Sequence, residues 1–189
     1  MPTRRQLVFG SGLCVLANAL PAIAHEATAQ KPFKLDREFE PQIVPFPDYA
    51  PGTIVIHPGN YFLYFTLLGG DAVRYGVGVG RAGLVFRGEA VVGRKAKWPS
   101  WRPTDNMIRR EPGKYARYAN GVPGGLNNPL GARALYLYRG NRDTMYRIHG
   151  TNEPSSIGKS VSNGCIRMLN DHVIDLYERV PVGTKVVVQ

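Results

Sequence analysis

Two residues of this chain could carry nucleophilic chemistry together. Cys165 lies in Ser162-Asn163-Gly164-Cys165-Ile166-Arg167, sixteen positions after His149, which closes the run Tyr146-Arg147-Ile148. A thiol becomes a strong nucleophile as the thiolate, and an adjacent imidazole can take its proton near neutral pH. A histidine at a strand end and a glycine-flanked cysteine can share one cleft, with Gly164 letting a substrate carbonyl approach the backbone. Main-chain N–H groups around Gly164 and Cys165 would then hold the oxyanion of an acyl-transfer intermediate, worth about 3 kcal/mol per donor. Taken alone, the pair is better explained as a buried thiol and a satisfied core imidazole.

The longer string reverses that balance. His149-Gly150-Thr151-Asn152-Glu153-Pro154, Ser156-Ile157-Gly158 and Ser162-Asn163-Gly164-Cys165-Ile166-Arg167-Met168 together resemble the signature of YkuD-type L,D-transpeptidases. The likeness extends to residues 128–136, to Trp98-Pro99-Ser100-Trp101 and to Val180-Pro181-Val182-Gly183-Thr184. It implies a mainly β, YkuD-like β-sandwich with one short helix toward the C-terminus, acting on peptidoglycan stem peptides without metal or organic cofactor. Cys165 would be the nucleophile, His149 the proton donor and acceptor, and Gly150 the residue whose backbone carbonyl orients the imidazole. D-Alanine would leave as a thioester forms on Cys165, and an amine of a neighbouring stem would resolve it into a 3-3 crosslink. Water in place of the amine would make an L,D-carboxypeptidase or an enzyme that releases proteins from the wall, and an outer-membrane protein amine would make an anchoring enzyme. A non-catalytic wall-binding module is disfavoured by the presence of both Cys165 and His149. The resemblance also implies inactivation by carbapenems through acylation of Cys165.

Ser162, Asn163, Gly164 and Arg167 are the expected substrate contacts, Arg167 either binding a stem carboxylate or bracing the loop. Many family members carry a second histidine directly before the Gly-Cys pair, where this chain has Asn163, so that position's supporting role is open. Trp98 and Trp101 are candidates for the cleft wall, although aromatic residues are more often core. His57 reads as a turn-flanking residue and His172 as a helix-start residue. Neither has metal-ligand spacing with any partner, which disfavours a zinc hydrolase. A papain-like peptidase would place its cysteine before its histidine, and here the order is reversed.

Positioning such a pair requires strands. From residue 53 onward, short apolar runs alternate with turn signals: strands are expected at 53–57, 61–68, 72–79, 89–92, 134–138, 145–149 and 184–188. Pro58-Gly59-Asn60, Gly69-Gly70-Asp71 and Gly140-Asn141 supply the turns. Two packed sheets or a partly closed barrel would bury their faces. Val173, Ile174, Tyr177 and Val180 form a helical stripe behind Asn170 or Asp171 as N-cap, and Pro181 ends it. Residues 95–128 show no clear periodicity and read as a long functional loop.

The first 24 residues read as a secretory signal, with Arg4 and Arg5, an apolar stretch over 7–20, and the small-residue site Ala22-Ile23-Ala24. Thr3-Arg4-Arg5 resembles a twin-arginine export signal as much as an ordinary one. The apolar stretch is too short and too broken for a membrane span, so no transmembrane segment is expected in the mature form. Residues 25–40 read as a flexible arm and 41–189 as the catalytic domain, with the periplasm as its compartment. Cleavage would remove Cys14 and leave Cys165 as the lone thiol, excluding an intramolecular disulfide. The whole chain carries 24 basic and 14 acidic residues; losing Arg4 and Arg5 leaves 22 against 14. A basic surface attracts polyanions. Export points to the carboxylate-rich wall rather than nucleic acid, and solubility alone explains the charge equally well.

Overall fold

The computed structural model describes residues 33–189. Its strands follow the apolar runs: β1 (Gln42–Pro45), β2 (Ile54–His57), β3 (Phe62–Thr66), β4 (Asp71–Gly76), the two-residue β5 (Val79–Gly80) and the long β6 (Gly88–Lys97). Two short helices, α1 (Asp105–Arg110) and α2 (Pro112–Tyr115), precede the hairpin of β7 (Arg133–Arg139) and β8 (Arg142–His149). The chain then runs through β9 (Ser160–Ser162), β10 (Ile166–Arg167), α3 (Asn170–Arg179) and β11 (Lys185–Val188). No helix among the described residues is long and apolar enough to cross a membrane.

Nine strands form one sheet in the order β1-β4-β3-β2-β11-β6-β7-β8-β10, and β5 pairs separately with β9. The last strand of the chain sits in the middle: Val186 faces Ile54 of β2 in parallel and Ala90 of β6 in antiparallel register. The sheet curls until its ends meet. Gly78, just past β4, exchanges main-chain hydrogen bonds of 2.9 and 2.8 Å with Arg167 of β10. The sandwich therefore arises by bending one continuous sheet rather than by stacking two. Ile54, Leu63 and Tyr75 from one half meet Leu135, Leu137 and Ile148 from the other, and Val173 and Leu176 of α3 close the core. All are at most 1% exposed, and full burial of one such aliphatic side chain contributes about 1.5–3 kcal/mol. Alternation along β7 sends Leu135 and Leu137 into this core and Tyr136 to the opposite face, where the site lies.

The structure refines three expectations. Residues 37–39 of the presumed arm form a 3-10 turn, and the half-buried Phe39 ring packs 5.7 Å from that of Phe62. Residues 1–32, with the expected leader, lie outside the described residues. Leu169 occupies the N-cap of α3 without a side-chain cap bond, because Asn170 Oδ1 instead accepts from the Ala132 N–H at 2.9 Å. The 95–128 segment is less irregular than its sequence suggests: β6 runs to Lys97, and α1 starts on a capping bond from the Met107 N–H to Thr104 Oγ1. At the other end of α3, Lys95 Nζ donates 2.6 Å bonds to the Tyr177 and Val180 carbonyls, satisfying main-chain oxygens the helix end leaves open.

Candidate active site

His149 ends β8 and Cys165 immediately precedes β10. These strands pair in parallel, Ile148 opposite Ile166 and His149 opposite Arg167, which brings the two motifs together across the sheet edge. Both side chains line one cleft of about 720 Å³, together with Arg110, Tyr115, Tyr146 and Arg167. A second cavity of about 730 Å³, lined by Arg94, Trp101, Tyr136 and Arg147, also reaches Cys165 but not His149. Cys165 thus stands where two cavities join, with the imidazole on one side only.

His149 is buried, and its Nδ1 lies 2.5 Å from the Gly150 carbonyl oxygen. Only a protonated nitrogen can approach a carbonyl so closely, so Nδ1 carries the hydrogen and Nε2 the lone pair. Burial, reinforced by the Arg167 charge, holds the imidazole down to about 3, although its bond to Gly150 acts the other way. The Cys165 thiol is pushed up by burial, against the opposing pull of the Arg147 backbone and the Arg147 and Arg167 charges. Cys165 keeps partial solvent contact at the cleft, while its surroundings withhold the water that would stabilise a thiolate. The resting pair is accordingly a neutral thiol and a neutral imidazole.

The loop carrying Cys165 is held by its own polar atoms. Ser162 Oγ donates to the Cys165 carbonyl at 2.6 Å and accepts from the Gly164 N–H at 3.0 Å. Ser162 therefore shapes the loop, while also lining the cleft. The Gly164 N–H is already engaged, which removes it from the expected oxyanion donors; the Cys165 N–H has no partner among the described residues. Gly164 has φ +121°, and a Cβ there would lie 2.5 Å from the Leu84 carbonyl oxygen, so no other residue fits without displacing backbone. Gly80 abuts this loop equally closely, a Cβ meeting Gly164 Cα at 2.8 Å. Beneath His149, Gly150 leaves room for the Asn170 side chain, which fixes the Ala132 backbone.

Asn163 is not the free substrate contact its sequence position suggests. Its Oδ1 accepts from Arg81 Nη2 at 2.9 Å and Arg110 Nη2 at 2.6 Å, and its Nδ2 donates to the Tyr115 hydroxyl at 2.7 Å. Arg167 pairs with Glu153 at 2.6 Å at the cleft wall. Trp101 lines both cavities and meets Tyr118 edge-on at 5.7 Å. Trp98 lines neither and is 43% exposed; its main-chain N–H donates to the Ala132 carbonyl.

Sequence reasoning missed Arg147 beside Cys165. Its guanidinium forms a two-pronged pair with Asp143 at 2.8 and 3.0 Å and lies 4.3 Å from the Tyr136 ring. The period-two alternation of a strand, counted back from His149, would have placed Arg147 on the same face. Nothing local in the sequence indicates that Arg81, Arg110 and Tyr115 converge on Asn163. Among the described residues, no three His, Cys, Asp or Glu side chains gather as metal ligands would.

A curled, mainly β domain with a cysteine and a histidine joined across a sheet edge above a cleft is the frame of an L,D-transpeptidase domain. The chain belongs to that family: the YkuD model, L,D-transpeptidase catalytic domain, matches residues 42–188. An Escherichia coli K12 protein described as probable L,D-transpeptidase ErfK/SrfK is 37% identical over 149 residues, covering 77% of this chain and 46% of that protein. The chain spans about half the length of the curated relatives it matches first. A solved structure from Brucella melitensis, described as a probable carnitine operon oxidoreductase, is 54% identical with TM-score 0.57, covering 82% of this chain and 96% of that one. L,D-transpeptidase 3 from Mycobacterium tuberculosis, in complex with a faropenem-derived adduct, shares the fold with TM-score 0.55 at 16% identity, covering 72% and 59%.

Gly78, Gly80 and Gly83 have the spacing of a dinucleotide-binding loop. That loop binds pyrophosphate at the start of a following helix. Here β5 runs into a turn and then β6, and Gly80 serves the close approach to the cysteine loop.

Proposed function

We propose that this protein is a peptidoglycan L,D-transpeptidase forming 3-3 crosslinks through a thioester on Cys165. The observation that carries the reading is the pairing of His149 and Cys165 on one cleft, with the Nδ1 bond to Gly150 leaving Nε2 to exchange protons. The thiol proton passes to Nε2 as sulfur attacks the carbonyl joining the L-centre of the third stem residue to terminal D-alanine. A neutral starting pair suits this step, since charge appears only as the bond forms. The Cys165 N–H is the main-chain donor for the oxyanion. D-Alanine leaves with the proton from His149, and the stem remains as a thioester.

Since His149 lines the first cavity, the leaving amine and the incoming amine are both assigned to it, by microscopic reversibility. The acyl portion then extends toward the second cavity. The acceptor is the side-chain amine of a neighbouring diamino acid, deprotonated by His149 before attack. The reading includes export to the periplasm through the leader ending at Ala24, with stem peptides as the partner. An outer-membrane protein amine or water as acceptor gives a different product from the same acyl-enzyme.

The test is intact-mass and product analysis of wild type and Cys165→Ala with purified disaccharide-tetrapeptide. A transient adduct absent from the variant, with crosslinked dimer among the products, is expected. Tripeptide and free D-alanine without dimer would replace transfer by hydrolysis, and no turnover would overturn the enzymatic reading.

A further inference from the structure

The Asn163 amide is the only contact point at which three residues from outside the cysteine loop meet that loop through side-chain hydrogen bonds among the described residues. Arg81 comes from the turn after β5, Arg110 from the last turn of α1, and Tyr115 from the end of α2. Two guanidinium donors on one atom identify that atom as the amide oxygen, and its two lone pairs are thereby filled. Glu111, between α1 and α2, extends the cluster by pairing with Arg81 at 2.9 Å, and the Arg81 contact holds its carboxyl below the usual range. Asn163 is two residues from Cys165, while Met107, Arg110, Lys114 and Tyr115 wall the cleft.

The α1–α2 segment has little else to fix it. No residue of α1 is buried, and in α2 only Tyr115 is. Such a segment, poor in apolar contacts, belongs to the low-stability end of a fold. Its geometry relative to the nucleophile then depends on the polar cluster.

We infer that Asn163 is a positioning residue that latches the α1–α2 flap to the cysteine loop and sets the width of the cleft. The inference rests on Cys165 being the reacting group, but not on the identity of the stem substrate. Asn163→Ala removes all three bonds. Asn163→Asp keeps an acceptor for both arginines, and the Tyr115 hydroxyl can turn to donate to it.

The experiment measures three quantities on wild type, Asn163→Ala and Asn163→Asp. They are hydrogen exchange of peptides spanning 104–118, the rate of Cys165 alkylation by iodoacetamide, and kcat and KM with disaccharide-tetrapeptide. In Asn163→Ala, exchange at the Ile108, Glu111 and Tyr115 amides and alkylation by the small reagent should both rise about five- to tenfold. KM for the large substrate should rise more than kcat falls, and Asn163→Asp should restore all three. Unchanged exchange and alkylation in Asn163→Ala, or an aspartate variant that behaves like alanine, would overturn the latch. Exchange and alkylation need no stem peptide, so a wrong substrate would show as absent turnover with both of these signals intact.

Discussion

Replacing His149 with glutamine should make the protein less sensitive to acid, and the magnitude follows from the burial of the imidazole. In the folded chain His149 is held down to about 3, against about 6.5 in an unfolded one. Between these values the unfolded state binds a proton that the native state refuses, so stability falls as pH falls through this window. The limiting slope is about 1.4 kcal/mol per pH unit, and integration from pH 7.5 to pH 5 gives about 2 kcal/mol from this one residue. Glutamine has no such term, but it disturbs the bond to the Gly150 carbonyl, which costs about 1 kcal/mol at any pH. The two stability curves should therefore converge below neutrality and cross near pH 5.5 to 6. Urea unfolding of both proteins at half-unit steps from pH 4.5 to 8 measures the difference directly. His57 and His172 are also lowered by burial, but they are common to both proteins and cancel in the comparison. A difference that stays constant with pH would refute the depressed imidazole, because it would mean that His149 binds protons alike in the folded and unfolded chains.

Alkylation of Cys165 by iodoacetamide should rise with pH to a midpoint above the ordinary thiol value of about 8.5, because burial disfavours the thiolate; a midpoint near neutrality would contradict this. Gly164→Ala should abolish turnover and lower stability by about 2–3 kcal/mol in thermal or urea melts, since Cβ would meet the Leu84 carbonyl oxygen at 2.5 Å from a backbone with φ +121°. A carbapenem should add its mass to wild type and not to Cys165→Ala, read by intact-mass spectrometry; an unmodified wild type would remove the acylation chemistry proposed for this cleft.

Much of the frame was legible because its signals are local. The runs at 53–57, 134–138 and 145–149 became β2, β7 and β8 within a few residues, and the stripe of Val173 and Tyr177 became α3. Apolar alternation and a closing proline report directly on what must be buried. The missing strands β1, β9 and β10 have only two to four residues, and β10 exists because it pairs with β8. Nor does local sequence reveal that β11 enters the middle of the sheet, a matter of long-range pairing with β2 and β6.

The same division runs through the site. Cys165 and His149 could be named because their spacing fits a long motif, and Gly164 because a nucleophile loop needs a close backbone approach. The surrounding motif residues line the cleft as expected of ligand contacts, and the fold also employs them on one another. Ser162 is bonded to Gly164 and Cys165, and Asn163 to Arg81, Arg110 and Tyr115. A motif can specify polar atoms beside a nucleophile without saying whether a substrate or the protein will satisfy them. Here folding engages Oγ of Ser162 and both ends of the Asn163 amide before any ligand arrives, leaving one Oγ lone pair and one Nδ2 hydrogen over. The main-chain N–H of Cys165 and Nε2 of His149 are the atoms left for the reaction proposed above, and the motif's own bonds fix where the cysteine loop stands.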